Sequence, residues 1–275
     1  MASENADAGY APRPFPPPEP PLMRAAPRRA RGFRWSRLVM LIGLLAGLSG
    51  LALSAGAAAI QLLPRSFTPA QRQQIMSWEV AKRWRSWPAG RIFPASISYW
   101  LPGKAFGGGT ALPLRAERVG IAAQASCRDA TARPAGRVLA QRGCLAVLRA
   151  TYEDTTQTLA VTVGVAVLPA SSAKQAAATL GQEGGRTWLR AVSFRHTTTA
   201  QFAGPGHKVG SISVAGPYLV LTTVGYADGR PWLSQGHDTY TGAEMYSLAK
   251  GVRHWVASQL GASPPVPRCP GSPGC

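Results

Sequence analysis

The sequence predicts an α+β fold: a mostly antiparallel sheet with helices packed on one face, preceded by one transmembrane helix and a disordered tail. Three observations predict it. Residues Leu38–Leu63 contain no Lys, Arg, Asp, Glu or Pro. Two apolar runs, Cys144–Tyr152 and Thr158–Leu168, flank a turn at Glu153-Asp154-Thr155-Thr156 and read as a β-hairpin. A helical apolar period, Met245, Leu248, Val252, Trp255, Val256 and Leu260, marks a final helix over Thr241–Leu260.

In chain order, residues 1–37 form a Pro- and Arg-rich tail of net charge +4. The run from Pro12 to Pro21 is polyproline-like and has too little apolar content to pack a core, so the tail is expected to be disordered and to act as an extended spacer. Residues 38–63 would rise about 39 Å as a helix, enough to span a bilayer with some tilt. Arg24, Arg28, Arg29, Arg31, Arg34 and Arg37 precede this segment, and only Arg65 and Arg72 follow closely. The positive-inside rule therefore places the N-terminus in the cytoplasm and the rest outside, at the cell membrane. A cleaved signal peptide ending in Ser54-Ala55-Gly56-Ala57-Ala58-Ala59 is the rival reading; the long N-terminal region and Ile60, Leu62 and Leu63 speak against it. Gly43 and Gly47 form a GxxxG pair, which lets two helices approach and predicts a homodimer through that face.

Residues 64–113 read as a juxtamembrane helix and an irregular linker. The helix is expected from Pro69 to Trp87, with Met76, Val80, Trp84 and Trp87 on one face and Pro88 as its stop. Trp84 and Trp87 with Arg83 and Arg85 suit a lipid headgroup interface. The same apolar face could equally pack on the outer domain. The stretch Ala89–Pro113 is punctuated by Pro94, Pro102 and Gly107-Gly108-Gly109 and reads as irregular.

The outer domain is expected over 114–260. Its first strand is Leu114–Ala123, followed by the hairpin. A helix capped by Ser171 or Ser172 runs to about Leu180. Further strands are Thr187–His196, Lys208–Val214 and Tyr218–Tyr226, the last two turning at Gly216-Pro217. Residues 261–275 are a Pro/Gly-rich tail.

All four cysteines follow the apolar segment, which fits an oxidising compartment. Four cysteines allow three pairings; Cys127–Cys144 and Cys269–Cys275 close short loops and are favoured. Spacings of 17 and 6 do not match a zinc site, so no metal is expected.

Chemistry-bearing motifs are sparse. There is no G-x-S-x-G elbow and no H-E-x-x-H. Ala105 follows Gly103-Lys104 where a phosphate loop needs Ser or Thr, and no cofactor is expected. Weak catalytic candidates are His237, Asp238 and Glu244, the densest polar group, which also read as a solvated loop and helix start. Charge is the stronger signal. The chain carries +18, and residues 64–275 hold 23 basic against 9 acidic residues. Outside a cell the anions on offer are lipid headgroups and envelope polymers, while nucleic acid is excluded by topology.

The stretches Trp84-Arg85-Ser86-Trp87-Pro88-Ala89-Gly90-Arg91-Ile92-Phe93-Pro94 and Gly225-Tyr226-Ala227-Asp228-Gly229-Arg230-Pro231, with the Arg-rich tail and single anchor, resemble uncharacterised single-pass membrane proteins of high-GC Gram-positive bacteria. The resemblance implies layout and no activity. The expected function is binding of a partner envelope protein or an anionic polymer by a cationic outer domain. An extracytoplasmic hydrolase and a structural subunit of an envelope or secretion complex are the alternatives.

Overall fold

The computed structural model describes residues 38–47, 67–103, 108–181, 188–204, 209–231 and 239–265. The chain divides into two units, Met1–Leu63 and Pro64–Cys275. In the first, residues 38–47 form helix α1, which places Gly43 and Gly47 one turn apart. Among the described residues, no helix is long and apolar enough to cross a membrane. The remainder of the expected span, residues 48–63, lies outside the described residues, as do the tail 1–37 and Cys269, Cys275, His237 and Asp238.

The second unit is an α+β domain. Its elements run α2 (Pro69–Ser86), α3 (Ala89–Ile92), β1 (Ser96–Leu101), β2 (Leu112–Ala125), α4 (Cys127–Ala130), α5 (Arg133–Gln141), β3 (Ala146–Asp154), β4 (Leu159–Val167), α6 (Ser172–Gly181), β5 (Val209–Ala215), β6 (Tyr218–Tyr226) and α7 (Thr239–Gly261). The six strands form one antiparallel sheet in the order β1-β2-β3-β4-β6-β5, curled into a half-barrel. Register shifts in β2, between Arg118 and Gly120 and between Ala122 and Ala125, supply the local bends that curl the sheet.

The expected hairpin is present as β3–β4. Every residue of β4 is buried, because β4 lies inside the sheet and is covered on both faces. Asp154 closes the turn: its carboxylate accepts from the backbone N–H groups of Thr156 (3.1 Å), Thr158 (2.9 Å) and Leu159 (2.7 Å). The β5–β6 pair turns at Gly216, whose φ of +62° suits glycine.

Helices cover both faces of the sheet, not one. On the first face, α7 packs Met245, Leu248, Val252, Val256 and Leu260 against Tyr99, Tyr152, Val161, Val163, Val165, Tyr218 and Val220. On the second, α4, α5 and α6 bury Ala130, Ala135, Leu139, Ala173, Ala176 and Leu180 against Val147, Ala166, Leu219 and Leu221. A sheet whose central strands are apolar on both sides needs two coverings.

Three other expectations change. The stretch read as irregular linker contains α3 and β1, and β1 pairs with β2 from Ser96↔Glu117 to Leu101↔Leu112. Ile97, Tyr99 and Leu101 point inward while Ser98 and Trp100 point out; the prolines at 94 and 102 bound this edge strand. Helices α4 and α5 had no counterpart in the sequence reading. Ser126 caps α4 through the Asp129 N–H (3.2 Å), and Pro134 sits in the first turn of α5.

Thr187–His196 is not a strand. Residues 188–204 make only one bridge, Leu189 to Thr131. The segment crosses the second face, and a row of threonines serves its backbone. Thr223 Oγ1 donates to the Leu189 carbonyl (2.6 Å), Thr151 Oγ1 to the Val192 carbonyl (2.9 Å), and the Val192 N–H donates to Thr162 Oγ1 (3.0 Å). These threonines are cross-strand neighbours in β3, β4 and β6. Gly120 and Gly164 leave room for it: a Cβ at these positions would lie 2.4 Å from Phe194 and 2.5 Å from Leu189.

Candidate anion-binding site

Helix α7 spans 23 residues, with Lys250, Arg253, His254, Ala257, Ser258 and Gly261 on one stripe at helical spacing. That stripe faces the edge strand β5. Ser213, Val214, Ala215 and Gly216 complete a cavity of about 510 Å³ between helix and strand. In β5, Ser213 pairs with Val220 and so points to the α7 side of the sheet. The helix is seated close: a Cβ on Gly261 would come within 3.2 Å of the Ala215 Cβ.

The electrostatics are one-sided. Among the described residues, three cationic or titratable-to-cationic side chains line the cavity and no carboxylate does. Arg253 Nη1 donates to the Ile212 carbonyl on β5 (3.0 Å), which fixes the guanidinium at the cavity wall. Arg253 Nε and Ser213 Oγ are buried with no hydrogen-bond partner among the described residues. Buried polar groups are nearly always satisfied, so these two orphan groups mark a polar wall behind the cavity, which a ligand meets only after a side-chain shift. Burial lowers the pKa of Arg253, yet a guanidinium stays charged across physiological pH.

A helix C-terminus is itself an unfavourable place for an anion. Here Arg83 offsets that. Its Nη1 donates to the carbonyls of Gln259 (3.1 Å) and Leu260 (2.8 Å), capping α7 from α2.

Arg83, Trp84, Trp87 and Arg85 therefore occupy different environments. Arg83 is buried; Trp84 and Trp87 are half-buried on the α7-side core; Arg85 is exposed. Tyr218 Oη bonds the Val80 carbonyl (2.6 Å) and accepts from the Trp84 N–H (3.3 Å), docking α2 on the sheet. Cations stack on the tryptophans: Arg85 on Trp84, Arg91 on Trp87 and Lys82 on the exposed Trp78. A capping box of Thr68 and Gln71 starts this helix at Pro69.

Of the catalytic candidates, Glu244 alone is described. It sits on α7 near the β3–β4 turn. Burial, then the Asp154 carboxylate, pushes its pKa above the ordinary carboxylate range. Ten residues separate it from His254, about 15 Å along the helix axis. Among the described residues, no group of three or more His, Cys, Asp or Glu side chains is placed to hold a metal ion. Cys127 and Cys144 form a disulfide with a Cα–Cα distance of 6.3 Å.

The basic stripe was visible in the sequence as Lys250-Gly251-Val252-Arg253-His254, with cations at i, i+3 and i+4. The apolar stripe of the same helix drew the reading to the core instead. The orphan groups of Ser213 and Arg253 needed coordinates. No known protein family, curated protein or solved structure matches this chain.

Proposed function

We propose that this chain is a single-pass membrane protein whose extracytoplasmic domain binds an anionic component of the cell envelope in the cavity between α7 and β5. The observation that carries this reading is the lining by Lys250, Arg253 and His254, with no carboxylate among the described residues. The excess of 23 basic over 9 acidic residues in 64–275 supports it, since the whole domain attracts polyanions at long range.

The topology rests on the uncharged segment 38–63 and the arginines that precede it. The disulfide between Cys127 and Cys144 suits an oxidising exterior. In this reading, residues 1–37 form the cytoplasmic tail and residues 261–275 a second tail beyond the domain, where a Cys269–Cys275 bridge would close. Self-association through Gly43 and Gly47 belongs to the same reading, and α2, with Trp78, Arg85 and neighbouring cations, would stand at the headgroup level.

The test uses the full chain in lipid nanodiscs at low ionic strength. It is expected to bind polygalacturonate and to ignore uncharged dextran of equal size, with affinity falling as salt rises. Lys250→Ala combined with His254→Ala lowers that affinity by roughly threefold or more, as expected for exposed contacts. No binding at low salt, or binding indifferent to the double substitution, removes the reading.

A further inference from the structure

The second face of the sheet carries a separate cationic cavity. It measures about 440 Å³ and is lined by Arg128 of α4 and by Arg133, Gly136 and Arg137 of α5. Among the described residues no carboxylate lines it. It lies across the sheet from α7 and shares none of the described residues with the α7 cavity.

The arginines here are set against one another. Arg133 and Arg137 are exposed at i and i+4 of one helix, where like charges destabilise. On β3, outside the cavity lining, Arg149 is half-buried, and the pKa of its guanidinium is lowered first by burial and then by the charge of Arg190. Its Nε is buried without a partner among the described residues. Asp129 is the acid that faces Arg149, and its carboxylate is engaged by the Ser126 hydroxyl at 2.6 Å. Arg190 is held by the Thr131 carbonyl, which receives its Nε–H at 2.9 Å.

Three guanidiniums, those of Arg128, Arg133 and Arg137, line this cavity with no carboxylate among the described residues. The fold holds them in place. Cys127 begins α4 and Cys144 follows α5, so their disulfide closes the segment that carries Arg128, Arg133 and Arg137. The N-terminus of α5 lacks a side-chain cap, because Ala132 occupies the cap position. An anion would relieve the repulsion and add charge-assisted hydrogen bonds from planar guanidinium forks, whose geometry matches phosphate oxygens.

We infer that the α4–α5 cavity is a second anion site, built for a compact, multiply charged phosphate group. The site does not depend on the α7 reading, because its residues and its face of the sheet are different. A polymer bearing phosphate groups could engage both faces of one domain, and two modest sites on one strand would then act through effective concentration.

The probe is inorganic tripolyphosphate, titrated calorimetrically into the full chain in nanodiscs. Arg133→Gln and Arg137→Gln are exposed substitutions that leave the core untouched, and together they are expected to weaken binding at least about tenfold. Because the α7 cavity is itself proposed to take anions, the titration is repeated in a Lys250→Ala/His254→Ala background, where a tripolyphosphate site is expected to remain and to weaken at least about tenfold on adding Arg133→Gln/Arg137→Gln. Saturating tripolyphosphate should also raise the midpoint of thermal unfolding in the Lys250→Ala/His254→Ala background, by mass action, and not once Arg133→Gln/Arg137→Gln are added. In that background, tripolyphosphate binding unaffected by Arg133→Gln/Arg137→Gln, or no tripolyphosphate binding, would overturn the inference. Polygalacturonate binding by the arginine double variant at wild-type affinity keeps the α7 reading separate from this result.

Discussion

The two faces of the sheet solve one problem with different means. The first face is closed by a single helix of 23 residues, whose long apolar stripe meets a core rich in Tyr, Val and Leu. The second is closed by helices of 4, 9 and 10 residues and by a crossing segment, over a core built mainly of Leu and Ala. Helices shorter than about 12–15 residues are marginal alone. The long helix holds itself by burial. The short ones depend on a disulfide and on threonine hydrogen bonds to the segment that crosses them. Each face presents cations at its rim, so the supports differ while the charge is shared.

The comparison can be broken by cutting each support in turn. The largest effect is expected on the first face. Leu248→Ala removes a fully buried α7 side chain from the main core and should cost about 3–4 kcal/mol in denaturant unfolding. Next comes the staple on the second face. Cys127→Ala with Cys144→Ala should cost about 3 kcal/mol, from the loop entropy released to the unfolded chain. Hydrogen exchange should then rise first in α4 and α5, while α7 keeps its protection. Equal loosening of both faces would contradict the division of labour.

Arg83→Met sharpens the picture of the first face. It removes a buried guanidinium and leaves the carbonyls of Gln259 and Leu260 without that donor, so a loss of about 1.5–3 kcal/mol is expected. Fraying should be confined to the last turn of α7. The smallest effect concerns Glu244. Its folded pKa lies above its unfolded one, so the folded state binds the proton more tightly. Stability is therefore greatest below the unfolded pKa and declines as pH rises through the folded pKa. Glu244→Gln should flatten that decline and stabilise the protein slightly at pH 7, as read from urea midpoints between pH 4 and 8.

Where the chain repeats a simple period, the sequence is a good guide. The β3–β4 hairpin, the β5–β6 pair, α2, α6 and α7 all lie within a few residues of their expected bounds. The Cys127–Cys144 pairing also follows from a short loop. The misses share a cause: tertiary partners decided them. Thr187–His196 reads as a strand, but threonines on three other strands bond the backbone of Leu189 and Val192 instead. The strand Ser96–Leu101 is only six residues between prolines and is fixed by pairing with β2. Two-sided covering of the sheet depends on α4 and α5, whose short apolar pattern is interrupted by Pro134 and Gly136. Of the α7 site, the cations were legible as a spacing; the cavity, Ser213 and the capping role of Arg83 arise from residues far apart in sequence.

The central claim is that anions are received between α7 and β5. The most direct measurement is hydrogen–deuterium exchange of the full chain in nanodiscs, with and without saturating polygalacturonate. The account predicts slower exchange in β5 and in the last three turns of α7, around Ser213, Lys250, Arg253 and His254, with no change in β1. Unchanged exchange across β5 and α7 on binding, or protection confined to β1, would contradict it.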